Sequence, residues 1–277
     1  GEFCYFDSYQ DAPDSQPEAI GGYLPLSTVY SFNPVPDTLS AEKVGLVYGV
    51  QANLFTEYIP TPEHAEMMIY PRVLALAEVA WSAPSKKNYE DFHVRALKAV
   101  EELKKSGYNP FELKNEIGNR PGADKPVEHL AVGKKVTYGL DAAYYPGYAA
   151  GGDTALVDGV RGGWTYGDKR WQGFIDKKRM DITIDLEKET ELHFIGADFM
   201  QVCGPEVFMP AEVIISISDD GKDFTELKHI EHKVVKDDKV TFTNFGWEGN
   251  AKGRYVRYQA TSGEFGGFLF TDEVVIK

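Results

Sequence analysis

Apolar and polar positions change their period twice along the chain. Residues 2–7 form a short apolar run that reads as a buried strand with Asp7 at its end. Residues 11–43 are rich in Pro, Ser and Asp and read mainly as a long functional loop, with one short helix signal at Ser40–Val44. Gly45–Leu54 is a second strand-like run that ends near Glu57. Then a helical period begins. Thr61-Pro62-Glu63 supplies a cap and a first-turn proline, and the pattern runs to Trp81 with a kink or restart at Pro71. A second helix is predicted from Asn88, with Phe92, Ala96, Ala99, Val100 and Leu103 at helical spacing, closed by Gly107 and followed by Pro110.

Residues 118–128 (GNRPGADKPVE) are polar and carry Pro and Gly, as a linker does. Beyond them the period is two. Ile182, Ile184 and Leu186 share one face of Asp181–Leu186, and Val213, Ile215 and Ile217 alternate before the turn Asp219-Asp220-Gly221. Arg254–Ala260 alternates again and Asp272–Ile276 is a final strand. Short strands separated by turn signals predict an all-β sandwich. The predicted organisation is therefore α/β over residues 1–117, a linker at 118–128, and a β-sandwich over 129–277.

Composition narrows the partners. The net charge is −14 and no basic patch offsets it, which argues against nucleic acid. No apolar run reaches the ~20 residues of a membrane span. Cys4 and Cys203 are too few for a disulfide framework and read as buried free thiols. Phosphate-loop, HExxH and CxxC motifs do not occur. His64 and Glu66 read as surface helix, His93 has no partner motif, and Arg72 and Glu78 read as structural.

The first half has the βα rhythm of a parallel barrel or doubly wound sheet, in which chemistry collects at the C-terminal ends of strands. Tyr5, Asp7, Phe55 and Glu57 stand at such ends. Carboxylates that accept from hydroxyls, beside rings that cover an apolar sugar face, suit carbohydrate binding. Ordinary loop residues would fit the same positions.

A resemblance separates these readings. GGYLPLSTVYSFNPVP, GVQANLFTEYI and MIYPRVLALAEVAWS, with Tyr5-Phe6-Asp7 ahead of them, are similar to the last strands and helix of glycoside hydrolase family 20 β-N-acetylhexosaminidase barrels. The resemblance implies the C-terminal remnant of a (β/α)8 barrel. It implies exo-acting, retaining hydrolysis of terminal β-linked N-acetylglucosamine or N-acetylgalactosamine, with the substrate acetamido oxygen as nucleophile. It also assigns roles. Tyr5 would position the acetamido oxygen, Asp7 would bind sugar hydroxyls, and Glu57 would accept from the 4- and 6-hydroxyls. Phe55 stands where the family usually has a Trp wall. The family's catalytic Asp-Glu pair is expected upstream, since no Gly-Asp-Glu motif occurs in the chain. The fragment alone is thus expected to be inactive, and its barrel strands to need the missing N-terminal part of the barrel or to associate.

Residues 129–277 resemble galactose-binding-like jelly rolls of the discoidin and family 32 carbohydrate-binding type. The resemblance rests on Ala155–Gly159, Trp171–Phe174, Asp181–Leu186, Ser218–Gly221, Arg254–Arg257 and Phe270–Glu273. It implies a structural calcium with Asp158 and Glu273 as side-chain ligands. Tyr144, Tyr145, Tyr148, Trp164, Tyr166 and Trp247 fall in loop-like, Gly-rich surroundings and are candidate glycan contacts, whereas Trp171 reads as core. N-acetylhexosamine-containing glycans are the expected partners. A periplasmic, cell-surface or secreted location is what such relatives imply. The rival reading is a non-catalytic carbohydrate-binding or adhesion protein.

Overall fold

The computed structural model describes residues 2–139, 143–175 and 180–277, and the chain divides into two compact units, Gly1–Gly118 and Asn119–Lys277. Residues 119–128, which read as linker from composition, belong to the second unit: Arg120 is buried and the Val127 amide donates to the Gly159 carbonyl at 2.8 Å.

In the first unit the two expected strands are each reduced to one parallel bridge. The Asn53 amide donates to Cys4 O at 2.8 Å and the Phe6 amide to Asn53 O at 2.9 Å, which pairs Tyr5 with Asn53. Tyr9 and Tyr23 form a second parallel bridge. A ladder needs a run of paired residues to hold extended backbone, and none of these segments has one. Residues 2–7 are also not uniformly buried: Phe6 lies in the core, but Tyr5 is exposed. The strand-like run from Gly45 begins inside a 3-10 helix, Ala41–Leu46, and leaves Leu46 and Tyr48 open to solvent, Tyr48 at 93% exposure.

Helix α1 (Leu26–Ser31) lies within the loop-like stretch and buries Leu26, Val29 and Tyr30. Helix α2 (Pro62–Ile69) starts as predicted, with Thr61 Oγ1 accepting from the His64 amide at 3.1 Å. Pro71 separates it from α3 (Arg72–Trp81), so the proline marks a restart. Helix α4 (Tyr89–Lys105) is capped by Asn88 and buries Phe92, Ala96 and Val100 along one stripe. Gly107 ends it at φ +88°, a conformation that costs glycine least, and the Tyr108 amide closes onto Leu103 O at 3.0 Å. His64 is buried, contrary to its reading as surface helix, because it falls on the same face as Met67 and Met68.

Among the described residues the second unit has seven antiparallel strands: β1 (Lys135–Tyr138), β2 (Gln172–Ile175), β3 (Met180–Gln201), β4 (Pro210–Ser218), β5 (Thr225–Glu231), β6 (Thr241–Ser262) and β7 (Phe268–Ile276). Their order is β2-β7-β3-β6-β4-β5, with β1 paired to β3. Strands β3 and β6 are each 22 residues long, far longer than the short runs the alternation predicts. The first half of β3 pairs with β1, and its second half with β7. Between the halves the register with β6 breaks at Asp185/Thr190 and Leu192/Phe194. Such bulges bend a strand sharply. The bend brings Ile182 and Ile184 into one core cluster with Ile195, Ala197 and Phe199, together with Val213, Val256, Leu269 and Ile276. Two layers thus face each other over a single core, the predicted sandwich. Trp171 is fully buried, as expected.

Cys4 and Cys203 are free and half-buried rather than buried. Among the described residues no helix is long and apolar enough to cross a membrane.

Candidate functional site

The bridge between Tyr5 and Asn53 fixes the geometry of the first unit's site. It brings the Tyr5 and Phe55 rings to 5.9 Å between centroids, with Tyr5 42% and Phe55 68% exposed. Asp7 is 7% exposed, and its Oδ1 accepts from the Phe55 amide at 2.7 Å and the Thr56 amide at 3.0 Å. Thr56 sits at φ +62°, unusual for a β-branched residue. Asp7 therefore holds a strained turn that carries Phe55 and leads to the exposed Glu57. The resemblance assigns Asp7 to sugar hydroxyls; its Oδ1 is committed to backbone, and its Oδ2 is buried with no partner among the described residues.

Arg72 supports this arrangement from below. Its buried guanidinium donates to the carbonyls of Phe6 and Ser8, which flank Asp7, and to those of Leu24 and Met68. Burial pushes Arg72 down to about 9, and the nearby Asp7 charge opposes that shift.

In the second unit, the Glu273 carboxylate is fully buried beside His129. Glu273 Oε1 lies 2.7 Å from His129 Nε2 and accepts from the Gly159 amide at 2.9 Å. Glu273 Oε2 is buried with no partner among the described residues. Burial raises the Glu273 carboxyl above its usual range; His129 and the Gly159 amide pull it back, and Asp158 adds a smaller upward push. Asp158 itself is exposed, and its Oδ1 accepts from the Val160 amide at 2.8 Å. Nothing in the sequence singles out His129, which is separated from Glu273 by 144 positions.

The predicted aromatics do not form one cluster. Tyr144 donates to Asp153 Oδ1 at 2.8 Å. Trp164 packs edge-on to Phe242. Trp247 is not in a loop: it lies within β6 opposite Ile195, because the Gly-rich run around it belongs to a strand that crosses from one layer to the other. Tyr145, Tyr148 and Tyr166 do gather. The Tyr145–Tyr148 and Tyr148–Tyr166 ring centroids are 5.9 and 5.8 Å apart, and Tyr166 stacks on Phe270 at 4.8 Å. A cavity of about 330 Å³ is lined by Pro146, Tyr148, Ala149, Tyr166, Lys169 and Trp171 among others.

Residues 1–84 match the family model described as glycosyl hydrolase family 20, catalytic domain, and residues 141–274 match the F5/8 type C domain. The chain is thus similar to a family 20 catalytic domain over its first 84 residues and to an F5/8 type C domain over residues 141–274. Over 105 residues it is 46% identical to a beta-hexosaminidase of Porphyromonas gingivalis, a match covering 38% of this chain and 14% of that protein. It is 30% identical to a beta-N-acetylhexosaminidase of Cellulomonas fimi over 34% of this chain and 19% of that protein. The chain thus spans well under a quarter of the length of either relative. Among solved structures it is similar to a chitosan-binding module from Paenibacillus sp. IK-5, at 15% identity and TM-score 0.37, covering 54% of this chain and 98% of that one. It is also similar to a Streptococcus pneumoniae fucose binding module, at 18% identity and TM-score 0.38, covering 55% of this chain and 98% of that one.

Within residues 141–274, the residues expected to hold calcium fit a hard cation in one respect. A fully buried carboxylate oxygen, Glu273 Oε2, lacks a donor among the described residues, and a second carboxylate, Asp158, is near enough to act on it electrostatically. Among the described residues no group of three or more His, Cys, Asp or Glu side chains gathers for a metal. A cation held there would draw its remaining ligands from backbone carbonyls, which calcium accepts.

Proposed function

We propose that this chain is the substrate-positioning rim and C-terminal module of an exo-acting β-N-acetylhexosaminidase. The family 20 match over residues 1–84 supports this, and the observation that carries it is the exposed Tyr5–Phe55 ring pair, 5.9 Å between centroids, with the exposed Glu57 two residues further on. Tyr5 donates its hydroxyl to the acetamido oxygen and aims it at the anomeric carbon. Phe55 forms the apolar wall. Glu57 accepts from hydroxyls of the terminal sugar. Asp7 keeps the Phe55–Thr56 turn in place, with Oδ2 as its remaining acceptor. The acid chemistry belongs to the family's catalytic Asp-Glu pair, whose Gly-Asp-Glu motif does not occur in this sequence. Periplasmic, cell-surface or secreted placement follows from the same reading.

In a protein carrying the whole barrel, Tyr5→Phe is expected to lower kcat/KM on an aryl N-acetyl-β-glucosaminide about 10- to 100-fold, the scale of one lost hydrogen bond to a group that gains charge. The 277-residue chain alone is expected to show no turnover. Undiminished activity in Tyr5→Phe, or turnover by the chain alone, would refute the assignment.

The cavity at Tyr148 and Tyr166 favours a second role for the module, retention of N-acetylhexosamine-containing glycan, because two rings beside a sugar-sized hollow match the apolar faces of a pyranose. Tyr166→Ala is expected to weaken glycan retention about tenfold, the scale of one lost ring contact. Affinity electrophoresis on mucin-type glycan reads this directly, and equal mobility of variant and parent counts against the site.

A further inference from the structure

The two ring nitrogens of His129 have different partners, Nε2 facing the Glu273 carboxylate and Nδ1 facing backbone amides. The Ala131 amide points at Nδ1 from 3.3 Å and the Ile276 amide from 3.4 Å. Two N–H donors directed at Nδ1 require a lone pair there, so the network puts the ring proton on Nε2. Nε2–H then donates to Glu273 Oε1 at 2.7 Å. The Gly159 amide donates to the same oxygen at 2.9 Å. Both donors fall on one carboxylate oxygen, and the other oxygen, Oε2, is fully buried without a donor among the described residues.

That asymmetry has a chemical consequence. A buried carboxylate oxygen kept free of N–H donors is costly unless something positive meets it. The Gly159 amide that shares Oε1 follows Asp158 directly in the chain, so the turn that carries the second carboxylate is tied to the same oxygen.

We propose that His129 is a positioning residue for a divalent-cation site at Asp158 and Glu273, its Nε2–H turning the Glu273 carboxylate so that Oε2 faces the cation. This rests on the calcium reading of those two residues and extends it to a residue that ligates nothing. Partners that orient a metal-binding carboxylate are worth about 10- to 100-fold in affinity when removed. The imidazole also ties the segment before β1 to the end of β7, through the Ala131 and Ile276 amides, so calcium would brace the place where the module's two chain ends meet.

The test is calcium titration of the full chain, followed by isothermal titration calorimetry and by the calcium-dependent shift in Tm. His129→Leu is expected to weaken calcium binding about 10- to 100-fold. His129→Gln, which retains an N–H donor and an acceptor, should stay within about threefold of the parent, less than 1 kcal/mol. If the parent chain neither binds calcium nor melts higher with it, the cation site itself is wrong and the role of His129 falls with it. If the parent binds and His129→Leu binds equally well, the cation reading stands and the positioning role is overturned. An unchanged Kd accompanied by a lower Tm in chelator overturns that role as well, since it marks His129 as a structural tie only. Should His129→Leu fail to fold, nitrogen-15 spectra of the parent's histidines decide the matter. An unprotonated Nδ1 and a protonated Nε2 at His129, shifting on calcium addition, support the proposal; a proton on Nδ1 overturns it.

Discussion

Asp272→Ala is expected to destabilise the second unit by about 3–5 kcal/mol, the cost of removing one partner from a buried ion network. Asp272 is fully buried and accepts four hydrogen bonds. Arg120 Nη1 reaches it at 2.8 Å, Arg161 Nη1 at 3.0 Å, the Gly162 amide at 3.1 Å and the Glu273 amide at 2.7 Å. Both guanidiniums also pair with Asp198. Arg120 also lies against both Trp171 and Phe242, at 4.9 and 4.8 Å from the ring centroids. Burial pushes the Asp272 carboxyl up, and the two arginines pull it back. Without Asp272 two largely buried cations share one anion. At about 2–4 °C per kcal/mol for a unit of this size, calorimetry should find the Tm lower by roughly 10 °C. A loss below about 1 kcal/mol would mean that Asp198 suffices for both arginines, a value typical of exposed pairs.

Arg72→Leu should have a comparable effect on the first unit. Arg72 Nε donates to Met68 O at 3.0 Å, Nη1 to Ser8 O at 2.8 Å and Leu24 O at 3.2 Å, and Nη2 to Phe6 O and Met68 O at 2.6 Å each. Four carbonyls lose a buried donor in the variant. At about 1–3 kcal/mol for each buried group left unsatisfied, the loss is at least about 4 kcal/mol. Arg72→Lys should rescue little, because an ammonium cannot span the forked set of acceptors. The damage should extend to the rim, since Phe6 O and Ser8 O flank Asp7, and Asp7 holds the amides of Phe55 and Thr56. Hydrogen exchange at the Phe6, Phe55 and Thr56 amides reads both consequences. Unchanged protection at all three would show that Arg72 does not support the rim.

Much of the architecture is legible in the sequence because it follows from local chemistry. Thr61 and Asn88 are side-chain caps, Pro71 interrupts a helical period, and Gly107 permits a positive φ; each acts within a few residues of itself. Helix α1 leaves no such signal because its six residues offer barely one repeat of the apolar pattern. The alternation at Asp181–Leu186 and Arg254–Ala260 marks true strands but not their length. Bulges interrupt the two-residue period inside β3 and β6 while the chains continue into the other layer.

The candidate sites divide along the same line. By itself the sequence determined helices α2 to α4, the change to strands beyond residue 128, and the resemblance that singles out Tyr5, Phe55 and Glu57. These depend on residue type and order, which one chain displays in full. Only the tertiary structure turned Asp7 inward to the Phe55–Thr56 backbone, moved Trp247 from loop to strand, and gave Glu273 its partner in His129. Only there does Arg120, in a stretch that reads as linker, meet Asp272 at a separation of 152 positions. Such pairs have no period and no spacing, because sheet pairing and the shared core bring their chain ends together.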